Sequence, residues 1–253
     1  IERKLIEICD VPVFHDDQHG TAIVTLAAVI NAMRLLKRDI SKQKIVICGV
    51  GAAGNSIARL LHDYGAKTIY GYNSSGIISK SNYDKYNFVI QELLDENIIT
   101  SFELPNDNTL SDLVKDTDIF IGVSVKDILT IPMVDSMNPD PIILAMANPN
   151  PEISLNNVTQ TKAIIYGTGR SDYPNQINNC LAFPGIFKGA LEARSTKITE
   201  EMKVVAAEAI AFLIKDEDLK PDYIVPSVFD KRVAKAVAKA VKKQAIQQNI
   251  CRE

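Results

Sequence analysis

Tryptophan is absent from this 253-residue chain, and histidine occurs only three times. Aromatic residues make up 6% of a chain that is 46% apolar, so any core must be mostly aliphatic. That balance fits an α/β protein rich in Ala, Ile and Val better than an all-β one. Cysteine is scarce and scattered. Cys9, Cys48, Cys180 and Cys251 lie far apart and form no C-x-x-C pair, which points to free thiols in a reducing, cytoplasmic setting. No strong charge excess exists: the net charge is −3, so neither nucleic acid nor an anionic membrane is an expected partner. The basic run "DKRVAKAVAKAVKK" reads as the solvated face of an amphipathic helix. The longest apolar stretch, "TAIVTLAAVINAM", is short for a membrane span and carries Thr and Asn. No signal peptide is expected in this sequence. The chain opens with "IERKLIEICD" rather than Met, which reads like the inside of a helix and the continuation of a longer protein.

What is present is an alternation of strands and helices. Thr21 to Lys37 has helical periodicity, followed by a short buried strand at Lys44 to Cys48 and a helix from Asn55 to Tyr64. A second strand is expected at Lys67 to Tyr72, then helices over 83–96 and 109–116. Three more apolar runs, "DIFIGVS", "PIILAMA" and "AIIYGTG", predict buried strands separated by crossover-length connections. This pattern predicts a Rossmann-type, doubly wound, mainly parallel sheet with helices on both faces. The remaining residues predict helices over 183–194, 199–214 and 230–248. We therefore expect residues 1–215 to form a dinucleotide-binding domain and 216–253 a helical extension packed on it.

The run "ICGVGAAGNSIARLL" sets Gly49, Gly51 and Gly54 in a G-x-G-x-x-G pattern between a strand and a helix, the context that gives the pattern meaning. Gly49 allows a tight turn, Gly51 lets the backbone approach a pyrophosphate, and Gly54 lets helix and strand pack closely. The loop residues Val50, Ala52 and Ala53 complete a cradle at a helix N-terminus, where free N–H groups face an anion. Nineteen positions beyond Gly54 lies Asn73, where an acid usually holds the adenosine ribose. An Asn bonds a hydroxyl without repelling a 2′-phosphate, and Ser74, Ser75 and Lys80 stand nearby in sequence, so both NAD and NADP stay open. The "NSSG" stretch is also an ordinary turn.

Ligands of such sheets sit beyond the carboxyl ends of the strands. Three polar stretches are expected there: "GVSVKD", "AMANPNP" with Asn148, and "GTGRSDYPNQINN" with Arg170, Ser171, Asn178 and Asn179. Upstream, "FHDDQHGT" places Asp16 and Asp17 between two of the three histidines. The stretch alone reads as a metal site, a catalytic dyad, or a polar turn before a helix.

Taken in order, "VPVFHDDQHGTAIV", "GVGAAG", "IFIGVS", "AMANPNPEI" and "GTGRSDYPNQINNCLAFPGIFKGAL" resemble the malic enzyme family, NAD(P)-dependent oxidative decarboxylases of malate. The resemblance spans most of residues 1–215. It implies that Asp17 is a ligand of Mg²⁺ or Mn²⁺ and that Asp16 shapes the site, while His15 and His19 are not ligands. It also implies that Asn148 lies near nicotinamide and substrate, and that Asn178 and Asn179 contact cofactor and malate. The family's Glu-Asp pair, which completes the metal site, and its catalytic Tyr and Lys have no match here. No catalytic side chain is therefore assigned within this chain, which alone should bind dinucleotide without turning over malate. "VSVKDIL", where many bacterial relatives have Pro-Gly, and Asn73 depart from the pattern and bear on cofactor preference. Relatives are usually dimers or tetramers, so self-association is expected by analogy. Two other readings remain: a malolactic enzyme, which converts malate to lactate and keeps its NAD, and a dinucleotide-binding regulatory module without chemistry.

Overall fold

The computed structural model describes residues 2–103 and 109–252. Six strands form one sheet: β1 (Lys44–Cys48), β2 (Thr68–Asn73), β3 (Gly76–Ile77), β4 (Ile119–Gly122), β5 (Ile142–Ala145) and β6 (Ile165–Thr168). Their order is β3-β2-β1-β4-β5-β6. All neighbours are parallel except β3, which pairs antiparallel with β2 through Tyr72↔Ile77 and Asn73↔Gly76. Strands β1, β4, β5 and β6 are mostly apolar runs buried on both faces, as parallel sheets require, while β2 (TIYGYN) buries Ile69 and Gly71 and leaves its other residues half-buried.

The period-2 alternation of the strands divides the core in two. Ile45, Ile47, Ile119, Ile121, Ile142, Leu144 and Ile165 face one layer of helices. Val46, Cys48, Phe120, Ile143, Ala145 and Tyr166 face the other. Helices thus cover both faces, as a doubly wound sheet demands. The helices among the described residues are α1 (Glu2–Ile8), which buries no residue, α2 (Thr21–Leu36), α3 (Ala52–Asp63), α4 (Phe88–Asp95), α5 (Leu110–Val114), α6 (Ile131–Ser136), α7 (Leu155–Val158), α8 (Phe183–Glu192), α9 (Glu200–Ala211) and α10 (Arg232–Gln247).

The central helix is α2. With the turn before it, Asp16–Leu36 is one helical run of 21 residues, long and apolar enough by composition to cross a membrane. This is more than the apolar stretch alone suggests, because a π-type turn over Asp16–Gly20 leads directly into α2. Every residue from Ala22 to Met33 is buried, against α3 and α9 among other elements. Each fully buried Val, Leu or Ile there contributes about 1.5–3 kcal/mol. In α10, Val233, Val237, Val241 and Ala245 form an i, i+4 stripe that is buried, and the helix packs on α8 and α9 while Lys235 and Lys239 stay exposed.

Some elements differ from the sequence expectation. The helix expected over 83–96 breaks at Asn87, whose Oδ1 accepts the N–H groups of Val89 and Ile90 and so caps α4; Lys80–Lys85 before it is a tight 3₁₀ turn. Helix α3 begins at Ala52, three residues before the expected Asn55, so Gly54 lies inside its first turn. Strand β3 and the short helices α6 and α7 carry too few residues for a periodic signal.

Candidate functional site

The loop after β1 has the geometry that its glycines foretell. Gly49 has φ +101°, which an L side chain rarely adopts. A Cβ at Gly49 would also stand 2.5 Å from the Val123 carbonyl oxygen, beyond the end of β4. At Gly54 a Cβ would lie 2.0 Å from the Gly49 carbonyl, so helix and loop touch backbone to backbone. Gly51 differs: its φ is negative and nothing stands within 4 Å of where its Cβ would be. Space at Gly51 therefore opens outward, beside Val50 and the first helical residues Ala52 and Ala53.

At the end of β2, the Asn73 carboxamide is already engaged. Its Oδ1 accepts the Ser75 N–H at 2.8 Å, stabilising the hairpin into β3. Ser74 and Ser75 are exposed at this turn. Lys80, grouped with them by sequence, lies elsewhere. The Ile78 N–H bonds the Gly71 carbonyl, the Lys80 N–H bonds the Ser101 hydroxyl, and neighbouring Thr100 bonds Ile69. The chain thus runs back along β2 and carries Lys80 away from the turn.

The "DDQHG" stretch forms the π-type turn that opens α2. Gly20 is required there because a Cβ would lie 2.3 Å from Asp16 Oδ1 and 2.9 Å from Asn179 Cβ. The Asn179 Nδ2 donates to Asp16 Oδ2 at 2.6 Å and reaches Asp17 Oδ1 at 3.4 Å, joining residues that are far apart in sequence. Burial, and then the Asp17 charge, push the Asp16 carboxyl up. Asp17 is exposed, and Asp16 Oδ1 is buried without a hydrogen-bond partner. Hard oxygen donors of this kind suit Mg²⁺ or Mn²⁺ in chemistry, but two carboxylates are fewer than such a cation's full set. Among the described residues, no cluster of three or more His, Cys, Asp or Glu side chains could hold a metal.

His19 is occupied by other partners. Its Nε2 lies 2.9 Å from Glu2 Oε1, and its Nδ1 lies 3.0 Å from Lys203 Nζ and 3.4 Å from Ser56 Oγ. A neutral ring protonated on Nε2 satisfies both contacts, and burial followed by the Lys203 charge holds the His19 pKa down. Lys203 is itself buried and also bonds Glu200 at 2.7 Å. No motif marks this pairing, since Lys203 stands in an unremarkable stretch of α9.

The loops after β5 and β6 meet α2. Thr25 Oγ1 approaches Met146 Sδ at 3.5 Å, which sets the start of α2 beside the end of β5. Asn148 follows at once and is exposed. After β6, the chain loops out at Gly169 and rejoins at Asn175–Ile177, where Ile177 donates to the Thr168 carbonyl at 2.8 Å. Arg170 forks onto Asp172 and also reaches the Pro149 carbonyl at 3.3 Å, tying the two loops together; Ser171 is exposed. Asn178 caps the next turn by accepting the Cys180 N–H at 3.0 Å, and this turn presents Asn179 to the Asp pair. Asn175, missed in the sequence, is buried and bridges the Tyr166 and Pro221 carbonyls and the Ile224 N–H. A second missed residue is Glu152, a fully buried carboxylate that links the loops after β4 and β5.

Strand order that reverses at β1/β4, a glycine loop at that point and a polar rim along the same strand ends define a dinucleotide-binding α/β protein. The family described as "Malic enzyme, NAD binding domain" matches residues 18–246, and the chain belongs to that family. It is 50% identical over 254 residues to the bifunctional malic/malolactic enzyme of Bacillus subtilis (strain 168), covering 100% of this chain and 60% of that protein. It is 43% identical to the NAD-dependent malic enzyme of Geobacillus stearothermophilus, covering 100% of this chain and 52% of that one. The crystal structure of Entamoeba histolytica malic enzyme superposes with a TM-score of 0.91 at 34% identity, covering 100% of this chain and 52% of that one. The chain thus spans between half and three fifths of these relatives.

Proposed function

We propose that this chain is the dinucleotide-binding part of an enzyme that oxidises and decarboxylates L-malate to pyruvate and CO₂, using NAD or NADP and Mg²⁺ or Mn²⁺. The observation that carries this reading is the hydrogen bond from Asn179 to the Asp16–Asp17 pair, on the same sheet edge as the phosphate loop. When bound, the dinucleotide would supply a hydride acceptor for C2 of malate, and the divalent cation would supply positive charge for the substrate oxygens.

The chain's own residues do the positioning. The backbone from Gly49 to Gly54 holds the pyrophosphate at the start of α3. Asp17 and Asp16 offer oxygens to the cation, and Asn179 fixes the pair by donating to both carboxylates. Asn148 and Asn178 line the edge where nicotinamide and malate meet. Asn73 borders the adenosine ribose and presents no charge that discriminates NAD from NADP. The proton-transfer groups belong to a part of the family's length that has no match in this chain. The chain by itself therefore binds dinucleotide and does not turn over. Cytoplasmic residence and assembly into dimers or tetramers complete the proposal.

A protein carrying this chain together with the rest of the family's length is incubated with malate, Mn²⁺ and either cofactor. Reduced cofactor and pyruvate should accumulate. Asp17→Asn should lower metal affinity and turnover by at least about tenfold, while NADH affinity stays within about twofold. Unchanged metal affinity would remove Asp17 from the ligand set. A second reading is favoured by one observation, the 50% identity to a relative named as both malic and malolactic. In that case lactate appears without net reduced cofactor.

A further inference from the structure

We infer that Glu152 is a positioning residue that holds the two loops on which the nicotinamide half of the dinucleotide rests; the inference rests on the dinucleotide reading above. Glu152 has 0% exposure. Its Oε1 accepts the Ser124 N–H at 2.8 Å and the Ser124 hydroxyl at 3.2 Å, and its Oε2 accepts the Ala147 N–H at 3.0 Å. One carboxylate therefore joins the first residues beyond β4 to those beyond β5. The backbone repeats the link: Leu129 donates to the Glu152 carbonyl at 3.0 Å and Asp127 to that of Pro151 at 3.2 Å.

The surroundings are shaped around this side chain. Gly122 ends β4 directly beneath it, and a Cβ there would stand 2.3 Å from Glu152 Cδ. Ser124 in turn packs on the phosphate loop: a Cβ at Gly49 would meet Ser124 Cβ at 3.1 Å, and Ser124 Oγ lies 3.3 Å from Cys48 Sγ. On the other side, Ala147 precedes Asn148. Among the described residues no cation is bonded to Glu152, whose partners are two backbone N–H groups and a hydroxyl. A buried carboxyl whose oxygens accept from two backbone N–H groups and one hydroxyl, drawn from two loops, fixes those loops to each other. In a sheet of this order the dinucleotide crosses at the β1/β4 reversal, with one half over β2 and the other over β4 and β5. Glu152 lies under that second half and touches no ligand itself.

Glu152→Gln keeps the volume and turns one acceptor into a donor facing an N–H group. The test measures binding of NADH and of 5′-AMP, the adenosine half alone, to the 253-residue chain. Gly122→Ala serves as a second variant, displacing the carboxylate without removing it. For each variant that melts in a single cooperative transition, NADH affinity should fall at least about tenfold while 5′-AMP affinity stays within about twofold. Loss of both ligands in parallel, or NADH binding equal to wild type, overturns the proposal. Wild-type chain that is folded and binds neither ligand overturns the dinucleotide reading itself, and this inference with it.

Discussion

Single atoms decide the phosphate loop. The contact between the Gly54 position and the Gly49 carbonyl, 2.0 Å for an added Cβ, has backbone on both sides, so neither can yield. Gly54→Ala should cost about 1–3 kcal/mol of stability, the usual penalty of overpacking, and should abolish NADH binding. Urea unfolding and NADH fluorescence check the two effects. Glu152 makes a pH prediction. Burial is the largest influence on its carboxyl and pushes it up from 4.5, against the pull of its N–H donors. A raised carboxylate pKa in the folded state gives stability that is present below 4.5 and lost as pH rises through the folded value. Wild-type stability should therefore decline relative to Glu152→Gln as pH rises from 4.5, in unfolding curves measured across that range. A constant difference at all pH values would show that Glu152 does not titrate in this way.

Among elements, α2 is tied to its neighbours on one face of the sheet through one polar residue. Asn31 is fully buried, and its Nδ2 donates to the Ala211 carbonyl at the end of α9 and to the Ile224 carbonyl in the loop before α10. Its Oδ1 accepts from Arg34, whose guanidinium continues to Asp216. Asn31→Leu removes the donor to the buried Ile224 carbonyl, while the Ala211 carbonyl keeps Arg34 and the Ile214 N–H, and should cost about 1–3 kcal/mol, seen as a lower Tm. Elements of this kind were partly legible in the sequence. "KIVIC" is β1 residue for residue, "TAIVTLAAVINAMRLL" is a helix as its periodicity implies, and "ERKLIEI", which reads like the inside of a helix, is helical. The cap at Asn87 was not legible within 83–96, because apolar residues on both sides continue a plausible helical period. Asn31 gave no signal either: one amide in an apolar helix acquires meaning only when α9 and the 224 loop arrive beside it.

For the whole molecule, the site is assembled from loops after four strands and from the turn before α2. The strand pattern alone placed Asn148, Asn178 and Asn179 at one edge. It could not bring Asn179 to Asp16, because that 2.6 Å contact depends on how the loop after β6 folds back over Thr168. Resemblance to the malic enzymes singled out the Asp pair where spacing left three readings open. Neither pattern nor resemblance marked Glu152, Asn175 or Lys203. Each is a buried polar residue whose partners come from distant segments, and Lys203 and Glu152 look like surface residues in a sequence.

The most direct test of the account is an NADH titration of the 253-residue chain and its Gly51→Val variant. No protein atom lies within 4 Å of the new Cβ, so the added side chain meets no clash there, and the backbone at φ −91° and ψ −149° makes the cost one of local strain. The account predicts saturable one-to-one binding by wild type, and at least about a tenfold loss in a variant that still melts in one cooperative transition, because the added side chain fills the space kept for the pyrophosphate. Equal NADH affinity in the two proteins, or no binding by folded wild type, would contradict it.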